Sequence, residues 1–258
     1  MKKLFSAILL CLISTFAFSA DIYCVLNDDN VRVRTLPSTG EVSKVITKVS
    51  KNQKFKVIAF LDKNVRLDNS WDKWYKIWLD ESKGQFGWIF GKYLDIADKD
   101  SVDCLREEQE FFNEILNYNL AAATPFCAMP TQESVAAFTK GKTPVRNDKV
   151  YMKNYDDEAH PIEIDHFVYA FDCGEHKVRG GNWVSTKITK TVPNAFGVKI
   201  GMTLDELKAC FERELNHSEY YENLYSFSCV YDVFSDIYFR FESGKLKEIG
   251  IQTDGLGN

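Results

Sequence analysis

The chain has 258 residues, more than one compact domain usually needs, so two domains are the starting expectation. Hydrophobic residues at 45% and charged residues at 27% exclude a disordered or collagen-like chain. The formal net charge of −5 argues against a nucleic-acid binder, because a surface that reads phosphates usually leaves its domain basic.

The first twenty residues read as a cleaved export signal. Lys2 and Lys3 form a positive start, an apolar run follows from Leu4 to Phe18, and Ala17-Phe18-Ser19-Ala20 offers small residues for cleavage. About fifteen apolar residues are too few to span a bilayer comfortably, so no transmembrane anchor is expected in the mature chain. Ile8-Leu9-Leu10 before Cys11 lacks the small residue of a lipidation site. Removal of Lys2 and Lys3 takes the net charge from −5 to −7. A periplasmic or secreted location follows.

Export leaves six cysteines: Cys24, Cys104, Cys127, Cys173, Cys210 and Cys229. An even count in an oxidising compartment favours disulfides, with fifteen pairings open. Their positions suggest a local scheme, with Cys24 and Cys104 bracketing the first domain, Cys127 and Cys173 in the middle, and Cys210 and Cys229 in the last. No Cys-x-x-Cys spacing is present, which argues against structural zinc.

Residues 21–97 are expected to form a small all-β barrel. Val31 and Val33 alternate with Arg32 and Arg34, as in a strand with one buried face. Val45-Ile46, residues 55–60, 74–79 and 87–91 continue the short strands, with a polar loop over 62–70 and a hairpin turn over 80–84. The run Asn30-Val31-Arg32-Val33-Arg34-Thr35-Leu36-Pro37-Ser38, then Trp74-Tyr75-Lys76-Ile77, then Gly87-Trp88-Ile89-Phe90-Gly91-Lys92-Tyr93-Leu94 resembles the bacterial SH3 domain, with its motifs in order. The resemblance implies an SH3-like barrel and an exported envelope protein that contacts peptidoglycan or peptide, and it leaves the ligand open.

Strand period suggests where a ligand would sit. If Tyr75, Ile77 and Leu79 point inward, Trp74, Lys76 and Trp78 share the outer face, where two indoles and a charge would suit sugar rings or peptide backbone. The competing reading packs these aromatics beneath the 62–70 loop or against the second domain.

A helical connector is expected over 98–124. Its helix covers 101–119, with Ser101 as a cap, an apolar stripe of Leu105, Phe111, Phe112 and Ile115, and Glu107, Glu108 and Glu110 on a solvated side. Residues 125–258 read as an α+β domain with an antiparallel sheet. A second helix over 131–138 precedes a polar turn over 141–148, a strand over 161–171, a turn over 175–182 containing Gly180-Gly181, strands over 183–192 and 196–200, and a meander over 225–253 that turns at Ser243-Gly244. Thr203-Leu204-Asp205-Glu206 is a capping box opening a helix with Leu204, Leu207, Phe211 and Leu215. Gly197-Val198-Lys199-Ile200-Gly201-Met202-Thr203 and the segment after it are similar to modules of small exported envelope proteins, including assembly and enzyme-inhibitor families; the likeness implies a fold and no active site.

Catalytic chemistry finds little to stand on. Asp103-Cys104 at a helix start and Asp165-His166 on a strand imitate a cysteine peptidase, but Leu105-Arg106 stands where that nucleophile is normally followed by Ser-Gly. On one strand, Glu163 and Asp165 face away from His160 and His166, so they do not converge on a metal; His176 and His217 read as surface residues. Asp156-Asp157-Glu158 lacks the spaced ligands of a calcium loop. The reading is an exported non-catalytic binding protein without cofactor, whose partner is peptidoglycan, cell-wall peptide or an envelope protein. The alternative is an inhibitor or assembly factor acting through the C-terminal sheet, with Tyr220, Tyr221 and Tyr225 as an exposed aromatic patch. A cell-wall cysteine peptidase is the third.

Overall fold

The computed structural model describes residues 21–120, 132–152, 159–179, 182–228, 230 and 235–252. The export signal, Cys127, Cys229 and the acidic turn 156–158 lie outside them.

The first half is a rolled antiparallel sheet. Strands β1 (Tyr23–Leu26), β2 (Val31–Arg34), β3 (Val45–Val49), β4 (Lys54–Leu61), β7 (Trp74–Asp80), β8 (Gln85–Phe90) and β9 (Leu94–Ile96) run in the order β3-β2-β8-β7-β4-β1-β9. Between β4 and β7, β5 (Val65–Leu67) and β6 (Ser70–Asp72) form a separate hairpin. Its two-residue turn needs positive φ at both positions, which Asp68 (50°) and Asn69 (61°) supply. Val49 of β3 and Leu94 of β9, from opposite edges of the sheet, share one core with Leu26, Val33, Ile77 and Ile89, so the sheet closes on itself.

A short β10 (Cys104–Leu105) lies parallel to β4, with Cys104 opposite Phe60 and Leu105 opposite Leu61. This pairing draws residues 104–105 out of the expected helix, and α1 (Glu107–Leu120) starts two residues later. The Arg106 carbonyl accepts from the Gln109 and Glu110 amides, while the Gln109 side chain accepts from the Arg106 amide at 3.0 Å.

The second sheet contains β11 (Arg146–Met152), β12 (Ile162–Phe171), β13 (Gly174–Arg179), β14 (Asn182–Ile188), β15 (Asn216–His217), β16 (Leu224–Phe227), β17 (Asp236–Glu242) and β18 (Lys245–Gln252). All its pairs are antiparallel, in the order β11-β12-β13-β14-β18-β17-β16-β15. α2 (Gln132–Thr139) and the short α3 (Leu204–Lys208) complete the elements. Phe111, Phe112, Ile115 and Leu116 of α1 pack with Val135 and Phe138 of α2 onto Ile188, Phe227, Phe239 and Ile251 of the sheet. Among the described residues no helix is long and apolar enough to cross a membrane.

Several expectations are corrected by tertiary packing. β13 is a strand where a turn was expected, and β11 occupies part of the polar turn. Residues 196–200 are a loop, because buried Asn194 takes up its hydrogen bonds: its side chain donates to the Val192 and Val198 carbonyls and accepts from the Val198 amide. His176 is fully buried, stacked on Phe171 at 4.4 Å and edge-on to Phe138 at 4.7 Å. Its Nδ1 lies 2.6 Å from the Thr186 hydroxyl.

The glutamates expected on the solvated side of α1 are buried as well. Glu107 pairs with Lys63 and accepts from the Glu212 amide at 2.7 Å, while Glu108 pairs with Arg106 and Arg213. Glu110 pairs with Lys76 of β7 at 3.1 Å, and Glu114 accepts from the Ala195 amide at 2.7 Å. α1 is therefore packed between the two halves, with polar anchors to Lys63 and Lys76 on one side and to the loops at 195 and 212–213 on the other.

Candidate functional site

The outer face of β7 is not free. Trp74 is 2% exposed and Lys76 1%, because that face lies under α1 and the β5–β6 hairpin. Trp74 packs with Leu61, Trp88, Phe90 and Leu105, and Phe196 of the second half touches the same cluster. The Lys76 ammonium sits 4.9 Å from the Trp88 ring and 4.8 Å from that of Phe86, with its charge directed to Glu110. Trp78 is half-buried, edge-on to Phe86 at 6.5 Å. The exposed Trp74-Lys76-Trp78 ligand surface is thus corrected. A central strand of a rolled sheet that carries a helix on its back has two buried faces, and alternation alone does not distinguish that case from one solvated face.

The open surface lies beside Trp74, in two clefts that share Thr39, Leu67 and the Trp74 side chain. The first lobe is formed by the turn before β2, by the outward face of β2 and by the tip of the β5–β6 hairpin. Val31 and Val33 enter the core, so Arg32 and Arg34 project on the opposite side into this lobe. Arg34 donates to the Ser43 carbonyl at 3.1 Å and is half-buried; burial, then the adjacent Arg32, press its pKa down. Tyr93 closes the lobe and donates to Asp68 at 3.0 Å. Burial, then that hydrogen bond, raises the Tyr93 pKa and keeps its hydroxyl protonated.

The second lobe runs between the barrel and the other half of the chain. Pro37, Lys63 and Arg66 face Phe196 and Cys210 across it, again over Trp74. Lys63 is held by Glu107 and donates to the Cys210 carbonyl at 3.3 Å. Glu114 fixes the loop that carries Phe196 through the Ala195 amide. The Trp74 Nε1–H is buried and has no hydrogen-bond acceptor among the described residues, an exception to the usual pairing of buried donors.

The other sequence candidates are not brought into this site. Cys24, Cys104, Cys173 and Cys210 are free thiols. Cys24 pairs in register with Phe55 and Cys104 with Phe60. That separation is about 17 Å of strand, far beyond the ~7 Å Cα limit of a disulfide, so the expected bracket does not form. The proposed partners of Cys173 and Cys210 lie outside the described residues. Burial pushes the Cys24 thiol up to about 11. Cys104 sits on β10 rather than at a helix start, and burial followed by Asp62 raises its pKa, opposite to an activated nucleophile. His166 lies in the second sheet between β11 and β13, so the peptidase pair is not assembled.

Glu163 is paired with Lys149 and accepts from Tyr151 at 2.8 Å; no cluster of three metal-binding side chains occurs among the described residues. Tyr220 and Tyr221 are 88% and 60% exposed, while Tyr225 stacks on His217 at 4.8 Å. Tyr93 of the closing motif reads from sequence as core or groove wall, whereas Arg32, Arg34 and Asp68 were not singled out as site residues. The Val-Arg-Val-Arg alternation already placed both arginines outward, but nothing local announced that the β5–β6 turn would bring Asp68 to Tyr93.

Residues 29–95 match the family model described as the bacterial SH3 domain. No curated protein and no solved structure matches the chain. The match runs from the turn before β2 into β9 and takes in every barrel residue of the first lobe except Asp28. The N-terminal barrel of this chain is a bacterial SH3 domain.

Proposed function

We propose that the protein is an exported, non-catalytic binding protein whose SH3 barrel takes a cell-wall peptide of peptidoglycan in the cleft between β2, the β5–β6 hairpin and Tyr93. The observation that carries this reading is the location of that cleft, which lies on the family-matched part of the chain and combines two arginines with the rings of Trp74, Phe90 and Tyr93. The bacterial SH3 domain supports a binding role that is often related to the cell wall. The short positive start and apolar run of the first twenty residues support export.

Co-sedimentation of residues 21–258 with purified peptidoglycan tests the reading. The unaltered chain is expected in the pellet, and Tyr93→Ala is expected to weaken binding by about tenfold, as for an aromatic contact residue at an interface. A chain that stays in the supernatant discards the wall reading.

A second reading is favoured by Tyr220 and Tyr221, two exposed aromatics beside β15 at the edge of the second sheet. There the chain would dock an envelope protein, as an inhibitor or assembly factor does. Loss of a purified partner's binding on Tyr220→Ser/Tyr221→Ser, with Tyr93→Ala silent, would favour it.

A further inference from the structure

We propose that the first lobe is a carboxylate-recognition site, so that the peptide bound there presents a free carboxylate to Arg32 and Arg34 and a neighbouring carbonyl to Trp74. The inference rests on the wall-peptide reading above and adds the chemical group that is recognised.

The arginines are two residues apart on one face of β2, about 7 Å between Cα atoms. That spacing lets two guanidinium forks meet on one carboxylate. Neither arginine has an ion pair within 4 Å among the described residues, and Arg34 uses one N–H on the Ser43 carbonyl. The nearby acids already have partners. Asp28 accepts from the Asp29 amide at 2.8 Å, Asp29 from the Lys51 amide at 3.0 Å, and Asp68 from Tyr93. Two like charges side by side, one of them half-buried and neither in an ion pair among the described residues, place two cations on one wall of the cleft, with Asp28, Asp29 and Asp68 along its rim.

A second observation points to the same ligand. The Trp74 side chain lines both lobes, and its buried Nε1–H lacks an acceptor among the described residues. A buried donor left unpaired is costly, and a peptide carbonyl entering the cleft would satisfy it. Phosphate fits less well, because Asp28, Asp29 and Asp68 rim the lobe and oppose a dianion more strongly than a single carboxylate.

The test uses purified peptidoglycan before and after carbodiimide coupling of its carboxylates to excess methylamine. The unaltered chain is expected to sediment with the first and to bind the second at least about tenfold more weakly. Arg32→Gln and Arg32→Gln/Arg34→Gln are expected to lose binding to the unmodified wall by a similar factor and to be insensitive to its amidation. Lys199→Gln/Lys208→Gln, which removes the same charge from exposed positions elsewhere, is expected to behave as the unaltered chain. The net charge of −7 that remains without Lys2 and Lys3 makes the sign diagnostic, since non-specific electrostatics would improve binding to a neutralised wall. Equal binding to both walls, or arginine variants that still discriminate between them, overturns the carboxylate proposal and leaves wall binding intact. Absence of binding to either wall overturns the wall reading itself.

Discussion

The two halves of the molecule close their cores by different means. The barrel core is built almost wholly from strands of one rolled sheet, whose edges β3 and β9 both contribute to it. The second sheet stays open, with β11 and β15 at opposite ends of its strand order. One face is finished by residues from outside the sheet: Phe111, Phe112 and Ile115 of α1, Phe138 of α2, and Phe211 after α3. Phe111 lies 5.3 Å from Phe211, 5.8 Å from Phe196 and 6.1 Å from Phe239, at the centre of an aromatic cluster. The difference shows that α1 belongs to both halves. It is part of the second core, yet it carries the glutamates that bind Lys63 and Lys76 of the barrel.

The largest expected effect comes from breaking that link. Lys76→Met leaves Glu110 buried without its counter-charge, and a stranded buried charge costs about 3–5 kcal/mol. Denaturant unfolding is expected to show this loss together with a split into two transitions as α1 loosens from the barrel. Lys76→Met/Glu110→Leu is expected to recover most of the loss, because apolar replacement of a whole buried pair is often neutral. A Lys76→Met cost below about 1 kcal/mol would place the pair with weakly contributing surface bridges and remove the coupling of the halves.

A second prediction concerns pH. Burial, then Glu110 one turn away, raises the Glu114 pKa well above the ordinary value, while the Ala195 amide and Lys76 act the other way. Glu110 is also raised, by burial, against the pull of Lys76 and Asn113. A carboxyl with a raised folded-state pKa keeps a proton that the unfolded chain releases. Its contribution is complete below the ordinary glutamate pKa and is lost as pH rises toward the folded value, at about 1.4 kcal/mol per pH unit for one proton. Glu114→Gln cannot ionise, so its melting temperature is expected to match the unaltered protein at low pH and to exceed it increasingly as pH rises above the ordinary glutamate pKa toward the folded-state value. Parallel profiles would mean that Glu114 is ionised in both states.

What could be read beforehand divides along the same line. β2, β7 and β8 were legible because local alternation and turns define them; the hairpin at 80–84 turns on Gly84 at φ 64°, where glycine carries no side-chain penalty. The burial of the α1 glutamates was hidden because Lys63, Lys76 and Arg213 reach them from up to 105 residues away. β13 was masked for a different reason. Its Glu-His-Lys-Val-Arg composition reads as a polar turn before Gly180-Gly181, yet His176 and Val178 are buried on one face of it. In the site, the direction of Arg32 and Arg34 followed from their alternation, whereas the covering of Trp74 depends on α1 and the β5–β6 hairpin meeting over one strand.

The smallest expected effect tests a purely local device on the open side of the comparison. Thr203 caps α3 and accepts from the Glu206 amide at 3.3 Å, while the Glu206 carboxylate accepts from the Thr203 amide at 2.7 Å. The Thr203 backbone hydrogen bond, then its hydroxyl, holds the Glu206 pKa below the usual glutamate value. α3 has only five residues and presents one fully buried side chain, Leu207, to the second core. A helix this short has little cooperativity of its own, so the cap and Leu207 must together hold it in place. Thr203→Ala removes one half of the box and is expected to cost about 1 kcal/mol in denaturant unfolding. Because the cap lies on the second half, the loss should appear in the transition that Lys76→Met separates from the barrel, with the barrel transition unmoved. A shift of the barrel transition by the same amount would show instead that α1 carries even this small change across the interface.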